Sequence, residues 1–171
     1  MCVAIHGRAY AGKDTVASMF IDEGYVRIAF ADPVYTIAKR FFFMRKKNRR
    51  ILQLIGQGAR YLINRDIWVR IAMRKINATI SEGKPVVVTD LRQENEFLAL
   101  YRAGFTIIHV DASLEVRQER CRLRDGIEPQ PELWEAKSET GADQFIDLMY
   151  SIDNSGTLEQ LREQVDKILK G

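Results

Sequence analysis

The feature that most constrains this chain is a glycine-rich segment close to its first residue. Gly7 and Gly12 are separated by four residues, and Lys13 follows directly. This spacing is that of a loop whose backbone N–H groups surround phosphate oxygens while a lysine reaches the β- and γ-phosphates of a nucleotide. An apolar segment precedes the loop and an amphipathic pattern follows it, as the flanking strand and helix require. The segment therefore predicts a nucleotide-phosphate site.

The residue after the lysine departs from the usual form of this loop. That position normally carries Ser or Thr, whose hydroxyl binds magnesium, but here it is Asp14. A carboxylate also binds Mg²⁺, directly or through water, so Asp14 is a candidate ligand. Thr15 is a second candidate ligand, or it contacts the α-phosphate. The residues expected to contact ATP are Gly7, Arg8, Ala9, Tyr10, Ala11, Gly12, Lys13, Asp14 and Thr15.

Short apolar segments alternate with helical patterns along the chain. The predicted strands are Cys2–His6, Tyr25–Ala29, Pro85–Thr89, Phe105–Val110 and Met149–Ile152. Runs such as Val86-Val87-Val88 are typical of strands buried on both faces, and the alternation predicts a parallel sheet covered by helices. The fold class is therefore α/β, in one domain of 171 residues.

Amphipathic spacing and glycine stops predict the helices. One begins near Lys13 and ends before Gly24, and another covers Asn95–Ala103. The longest gap between predicted strands predicts a helical insertion. Its helices are expected at Pro33–Phe43, Arg49–Leu62 and Asp66–Ile80, and a last helix of the chain at Leu158–Leu169.

The composition is that of an ordinary globular protein, with 46% hydrophobic and 29% charged residues. The net charge is only +3. A charge this small gives no indication that the molecule as a whole attracts nucleic acid. No apolar run approaches the roughly 18 residues of a membrane span, and Cys2 and Cys121 lie far apart. We expect a cytoplasmic protein with no membrane partner.

Several segments together carry a family resemblance. They are Lys13-Asp14-Thr15, Phe30-Ala31-Asp32-Pro33, Leu52-Gln53-Leu54-Ile55-Gly56, Asp66-Ile67-Trp68-Val69 and Asp90-Leu91-Arg92-Gln93-Glu94-Asn95-Glu96. In this order, with Arg60 and Asn64 between them, they resemble the deoxynucleoside monophosphate kinases encoded by phages and bacteria. The loop variant is also similar to that of dephospho-coenzyme A kinase and of the animal type of phosphomevalonate kinase.

The resemblance implies a P-loop kinase with a five-stranded parallel sheet of order 2-3-1-4-5, flanked by helices. It also implies an acceptor-binding insertion at about 31–84 and a short lid at about 117–137. The implied phosphoryl donor is ATP with Mg²⁺ as cofactor, and the implied acceptor is a deoxynucleoside monophosphate. The sequence leaves open whether the protein forms a homodimer. The alternatives are another small-molecule P-loop kinase or a kinase directed at nucleic acid.

Candidate acceptor residues lie near the carboxyl ends of strands, where ligands collect in doubly wound sheets. Asp90 is expected to orient magnesium-bound water or accept from the substrate, and Arg92 to clamp a phosphate. Asp32 is favoured for acceptor contact, and for both aspartates the less favoured alternative is a cap at the start of the following helix. Arg60 is expected to position the acceptor phosphate with Arg92. Trp68 either stacks on the acceptor base or belongs to the core.

Four arginines follow the fourth predicted strand and precede a turn-rich stretch. Arg117, Arg120 and Arg124 share one helical face, whereas Arg122 points elsewhere. The resemblance implies that these arginines belong to a lid, in which Arg120 and Arg124 take part in catalysis and Arg117 binds ATP. The alternative is a basic helix face that is exposed to solvent. Asn154 is expected either at the edge of the adenine base or in a turn that caps the last helix.

The most basic stretch covers residues 39–50 and contains three consecutive phenylalanines, Phe41–Phe43. Such a cluster is able to bind nucleic acid through its phosphates and bases. We favour instead a solvated loop whose phenylalanines pack inward, so nucleic acid is the less favoured partner. The two histidines, His6 and His109, fall within strands and are expected in the core.

Overall fold

The computed structural model describes residues 1–126 and 141–170, which form a parallel sheet covered by helices. The strands are β1 (Val3–His6), β2 (Val26–Ile28), β3 (Val86–Leu91), β4 (Thr106–Asp111) and β5 (Tyr150–Asp153). Their order across the five-stranded sheet is β2-β3-β1-β4-β5, and all their pairings are parallel. The predicted fold class and strand order are therefore confirmed.

The helices follow the predicted pattern within a few residues. They are α1 (Lys13–Asp22), α2 (Asp32–Phe41), α3 (Arg49–Leu62), α4 (Ile67–Ser81), α5 (Glu94–Arg102), α6 (Leu114–Asp125) and α7 (Leu158–Lys170). Residues 127–137 of the expected lid lie outside the described residues. Within the described part of the chain, no helix has both the length and the apolar character needed to cross a bilayer.

Glycines end two of the helices, as expected, and a capping box begins one of them. Gly24 and Gly104 follow α1 and α5 with φ angles of 87° and 75°, a left-handed conformation that glycine adopts without steric strain. At the start of α5, Gln93 and Glu96 form a capping box. The cap of α5 is therefore Gln93, and the interpretation of Asp90 as its cap is wrong.

The sheet separates two hydrophobic cores. On one face, strand residues such as Val86 and Val88 pack with α4 and α5, and on the other face Val87 and its neighbours pack with α1 and α7. Each of these valines is at most 1% exposed. Burying a side chain of this size contributes roughly 1.5–3 kcal/mol, so β3 stabilises both halves of the molecule.

The insertion between β2 and β3 consists of α2, α3 and α4. The prediction that its phenylalanines pack inward is wrong, because Phe41, Phe42 and Phe43 are 66%, 49% and 83% exposed. The physical reason is local: α2 ends at Phe41, and the backbone reverses at Phe43, which has a φ of 50°. The side chain that this reversal buries is Met44.

Two histidines face each other inside the sheet. His6 of β1 pairs in register with His109 of β4, and their Nδ1 atoms are 2.9 Å apart. One nitrogen must donate and the other must accept, so at least one ring is neutral. Burial, followed by the charges of His109, Lys13 and Arg8, lowers the pKa of His6 from 6.5 to about 4. Both histidines are buried, which confirms the expected core location.

The lowered pKa of His6 predicts a loss of stability in mild acid. The unfolded chain takes up a proton near pH 6.5, whereas the folded protein resists protonation until about pH 4. The stabilising effect is therefore present above pH 6.5 and is lost as the pH falls toward 4. Between pH 7 and pH 5 we expect the free energy of unfolding in urea to fall by about 2 kcal/mol through this residue.

The matched variant for this measurement is His6→Gln, because glutamine can form hydrogen bonds but does not titrate. Subtracting its unfolding free energies from those of the wild type cancels the contributions of the other titrating groups. An identical pH dependence in both proteins would show that His6 is not responsible.

Candidate active site

The glycine-rich loop joins β1 to α1 and depends on two close approaches. Gly7 has a φ of 148° and Gly12 a φ of 94°. A β-carbon at Gly7 would overlap the carbonyl oxygen of Val110 on β4, and one at Gly12 would overlap the side-chain amide of Asn154. Only glycine therefore fits these two positions. The predicted order of strand, glycine-rich loop and helix is confirmed.

Lys13 is the first residue of α1 and turns back over the loop. Its Nζ atom donates to the carbonyl oxygens of Gly7 at 2.6 Å and Arg8 at 2.8 Å. Asp14 and Thr15 follow in the first turn of α1, and both side chains are exposed. A lysine ammonium and the N-terminus of a helix thus lie at the same end of the loop, an arrangement that favours an anion.

A cavity of about 200 Å³ adjoins the loop. Its lining residues are Gly12, Thr15, Arg120, Asn154, Gly156, Leu158 and Leu161. Asn154 is buried, and its Nδ2 atom donates to the carbonyl oxygen of Ala11 at 2.8 Å. Thr157 and Gln160 instead make the reciprocal bonds at the start of α7, so the interpretation of Asn154 as the cap of α7 is wrong.

Helix α6 brings Arg120 to the loop and buries Arg117. Arg120 donates through Nη1 to the carbonyl oxygens of Tyr10 and Ala11, both at 3.4 Å, and through Nη2 to that of Asn154 at 2.8 Å. Arg117 turns inward and is buried, with its Nε bonded to the carbonyl oxygen of Ala112 at 3.1 Å. Of the shared face, Arg117 is therefore buried and Arg120 half-buried, whereas the side chain of Arg124 is 63% exposed.

Tyr10 connects the loop to the end of α6. Its hydroxyl donates to Oδ2 of Asp125 at 2.6 Å, and the guanidinium of Arg124 lies 4.4 Å from the centre of its ring. Burial and the bond to Asp125 raise the pKa of Tyr10, while the Arg124 guanidinium lowers the pKa of Asp125. Sequence reasoning missed Asp125, because its partner lies 115 residues away in the chain.

The two predicted acceptor carboxylates bind backbone amides. Asp90, at the end of β3, accepts from the N–H groups of Phe30 at 2.8 Å and Ala31 at 2.9 Å, one on each oxygen. Asp32 accepts from the N–H of Ala29 at 3.0 Å and pairs with Arg27 at 3.1 Å. Both side chains hold the segment after β2, which favours a structural role over contact with the acceptor.

Glu96 links the two arginines that were predicted to bind the acceptor phosphate. Its Oε2 atom accepts from the backbone N–H of Arg92 at 3.0 Å and of Gln93 at 2.9 Å. Its Oε1 atom accepts from Nη2 of Arg60 at 3.1 Å. Burial raises the pKa of Glu96, which is only 3% exposed. The capping-box spacing was the available signal for this residue, although not for its bond to Arg60.

The sheet register brings this cluster to the loop. Leu91 of β3 pairs with His6 of β1, so Arg92 and Gly7 are the next residues along two adjacent strands. The side chain of Arg92 is exposed there. Arg92, and Arg60 through Glu96, thus lie at the same edge of the sheet as the glycine-rich loop.

Trp68 does not belong to this edge. The residue is 2% exposed, and its indole Nε1 donates to the carbonyl oxygen of Gly56 at 2.9 Å. This bond joins α4 to α3 within the insertion. The expectation that Trp68 stacks on the acceptor base is therefore corrected: its ring has almost no free face, because it packs in the interior.

Asp14 and Thr15 fit a magnesium ion better than Asp90 does. Mg²⁺ beside a nucleotide takes most of its ligands from phosphates and water, so one or two protein oxygens suffice. The exposed side chains of Asp14 and Thr15 are accessible at the N-terminus of α1. Both oxygens of Asp90 already accept amide bonds. Among residues 1–126 and 141–170, no group of three or more His, Cys, Asp or Glu forms a separate metal cluster.

Comparisons with known structures identify the fold. TT1252 from Thermus thermophilus matches with a TM-score of 0.63 and 20% identity, covering 99% of this chain and 96% of that one. A gluconokinase from Sinorhizobium meliloti 1021 has a TM-score of 0.60 and 18% identity, with coverage of 99% and 91%. Dephospho-CoA kinase from Campylobacter jejuni has a TM-score of 0.50 and 17% identity, with coverage of 99% and 95%.

A family model described as deoxynucleotide monophosphate kinase matches residues 46–132, just over half of the chain. A search of curated proteins found no match. The matched segment begins in the insertion and includes Arg60, Arg92 and Glu96, whereas the glycine-rich loop lies before it. The loop and the matched segment meet at one edge of the sheet, and the chain therefore belongs to the deoxynucleotide monophosphate kinase family of P-loop phosphotransferases.

Proposed function

We propose that the protein transfers the γ-phosphoryl group of ATP to the 5′-phosphate of a deoxynucleoside monophosphate, giving ADP and the deoxynucleoside diphosphate. The observation that carries this proposal is the link between Arg92 and Arg60 through Glu96, beside the loop that begins at Gly7. Two arginines next to a phosphate loop suit an acceptor that itself carries a phosphate, because guanidinium groups bind phosphate oxygens at two points.

On the donor side, the loop amides and Lys13 hold the β- and γ-phosphates. The contacts of Asn154 and Arg120 with the carbonyl oxygens of the loop keep its backbone in position. We assign the adenine base to the adjoining cavity, whose lining includes Gly12, Gly156 and Leu158. Magnesium, held by Asp14 and Thr15, would neutralise charge between the β- and γ-phosphates.

The transfer forms a bond between an acceptor phosphate oxygen and the γ-phosphorus while the bond to the β–γ bridging oxygen breaks. An ionised phosphate carries no proton that must be removed, so no general base is required. The nearby carboxylates agree with this, since Asp32 and Asp90 are bound to backbone amides. Arg120 and Arg124, both next to the loop, would balance the charge of the transition state.

An acceptor screen tests this proposal directly. Labelled ATP is offered with each deoxynucleoside monophosphate, with dephospho-coenzyme A, with gluconate and with an oligonucleotide. We expect a labelled diphosphate from at least one deoxynucleotide. The likeness to gluconokinase and dephospho-CoA kinase is one of fold, and robust turnover of their acceptors, without turnover of any deoxynucleotide, would overturn the assignment.

Replacing Lys13 tests the donor site. Its charge follows the phosphates into the transition state, so Lys13→Ala should lower kcat by about a hundredfold or more. The folded state should persist, because Lys13 is not one of the buried core residues and its Nζ atom donates to carbonyl oxygens of the loop. Steady-state kinetics and circular dichroism measure both effects. Near-normal turnover by a folded variant would contradict the role of the loop.

Replacing Asp14 tests the metal assignment. If its carboxylate helps to hold magnesium, Asp14→Ala should raise the magnesium concentration needed for half-maximal rate while leaving saturation by the acceptor nearly unchanged. Thr15→Val is the parallel variant for the neighbouring hydroxyl. Magnesium titrations at saturating ATP measure the shift, and an unchanged titration for Asp14→Ala with a shifted one for Thr15→Val would move the ligand role to Thr15.

A third set of variants tests the acceptor site. Arg92→Lys keeps the charge but loses the planar fork, and Glu96→Gln removes the charge that holds Arg60. Both should raise the KM for the deoxynucleotide about tenfold or more, with little change in the KM for ATP.

The matched control for Glu96→Gln is Glu94→Gln. Glu94 lies on the same helix and pairs with Arg65 at 3.3 Å, but its side chain is 45% exposed. This change should leave both KM values unaltered. Equal effects of the two glutamine substitutions on the KM for the deoxynucleotide would remove the special role of Glu96.

A further inference from the structure

Residues 39–50, here called the basic strip, lie on the insertion and have no part in the proposed reaction. These twelve residues contain seven Lys and Arg and no Asp or Glu. The other 159 residues carry 19 Lys and Arg against 23 Asp and Glu, a net charge of −4. The net positive charge of the protein is therefore concentrated in one short segment, as in proteins that bind polyanions.

The basic strip also exposes three aromatic rings. Phe41, Phe42 and Phe43 are consecutive, and Phe43 is 83% exposed. The guanidinium of Arg40 lies 5.9 Å from the centre of the Phe41 ring. An exposed apolar cluster among charged residues marks a binding surface, since burying these rings would otherwise have stabilised the fold.

The backbone at Phe43 is strained in a way that keeps its ring in solvent. Its φ of 50° is a left-handed conformation that is rare for a bulky residue and is usually given to glycine after a helix. The next residue, Met44, is buried, and its N–H donates to the carbonyl oxygen of Ala38. Residues held in such sparsely populated conformations cluster at functional sites.

The start of α3 gives an independent indication of an anionic ligand. Arg49 and Arg50 occupy its first turn, which contains no acidic residue. The dipole of a helix makes its N-terminus positive, so cations there are unfavourable. A bound phosphate would convert this repulsion into attraction for both the arginines and the helix.

We propose that the basic strip binds single-stranded nucleic acid, with its phosphates on the Lys and Arg side chains and its bases stacked on the exposed phenylalanines. Cations alongside sequence-tolerant stacking rings are the combination that single strands require. Helices that lie on membranes place aromatic and cationic side chains on opposite faces. Here the phenylalanines lie between two groups of Lys and Arg along the chain, where α2 ends. The residues assigned to this strand, Phe43, Arg45, Lys46 and Lys47 among them, are not those assigned to the kinase reaction.

Binding of a fluorescent 12-nucleotide single strand to the full chain, followed by anisotropy at several salt concentrations, tests the proposal. A triple variant in which Arg45, Lys46 and Lys47 are each replaced by Gln should have a slope of log K against log salt that is shallower by about 2. Each phosphate contact on a single strand contributes roughly 0.7 to that slope, and three contacts are removed. Phe43→Ala should weaken binding about tenfold and leave that slope unchanged.

Two controls separate binding from folding and from bulk charge. Phe43→Gly relieves the left-handed backbone, so it should keep or raise Tm while weakening binding at least as much as Phe43→Ala. Replacing Arg70, Arg74 and Lys75 with Gln makes the same charge change on the exposed side of α4 and should leave the salt slope nearly unaltered. Phosphorylation of the deoxynucleotide should be normal in all of these variants, so each proposal can fail alone.

Three results would overturn the inference. The first is a wild-type protein that does not bind the oligonucleotide at low salt. The second is an equal loss of salt slope in the α4 variant, which would indicate bulk electrostatics only. The third is binding that requires Phe43 on phosphatidylserine vesicles but not on the oligonucleotide, which would assign the basic strip to a membrane surface.

Discussion

The rest of this structure depends on the close contact of the glycine-rich loop with β4 and with the turn after β5. Gly7 lies against the carbonyl oxygen of Val110, and Gly12 against the amide of Asn154, so neither position has room for a β-carbon. The contacts of Asn154 and Arg120 with the loop carbonyls become possible only at this distance. A phosphate site made of backbone groups is thereby held in position by three separate parts of the chain.

A buried carboxylate plays the corresponding role on the acceptor side. Glu96 accepts two backbone amides and one guanidinium, and these bonds offset the cost of burying its charge. It connects α3 of the insertion to the segment after β3. Removing it would leave Arg60 without this partner and the start of α5 without its reciprocal cap. The positions of both proposed acceptor arginines therefore depend on one side chain that does not itself need to touch the substrate.

Three of the differences between the sequence predictions and the structure share a cause. Asp90, Trp68 and Arg117 were placed correctly on their elements, but their partners are groups that only the folded chain brings near: the amides after β2, the carbonyl of Gly56 and the carbonyl of Ala112. A carboxylate, an indole or a guanidinium satisfied by a backbone group looks the same in sequence as one that awaits a ligand. The prediction for Phe41–Phe43 was wrong for a different reason. Hydrophobic side chains are expected to be buried, but a local reversal of the backbone leaves these three exposed.

The sequence by itself determined the α/β class, the extent of nearly every helix and strand, and the phosphate loop. These depend on local periodicity, on glycine conformations and on the spacing of a few residues within one segment. The resemblance added the strand order. The tertiary structure alone decided which polar side chains meet: Glu96 with Arg60, Tyr10 with Asp125, and His6 with His109. Each of these pairs spans at least 36 positions in the chain, and such contacts follow from strand register and helix packing, which no local pattern encodes.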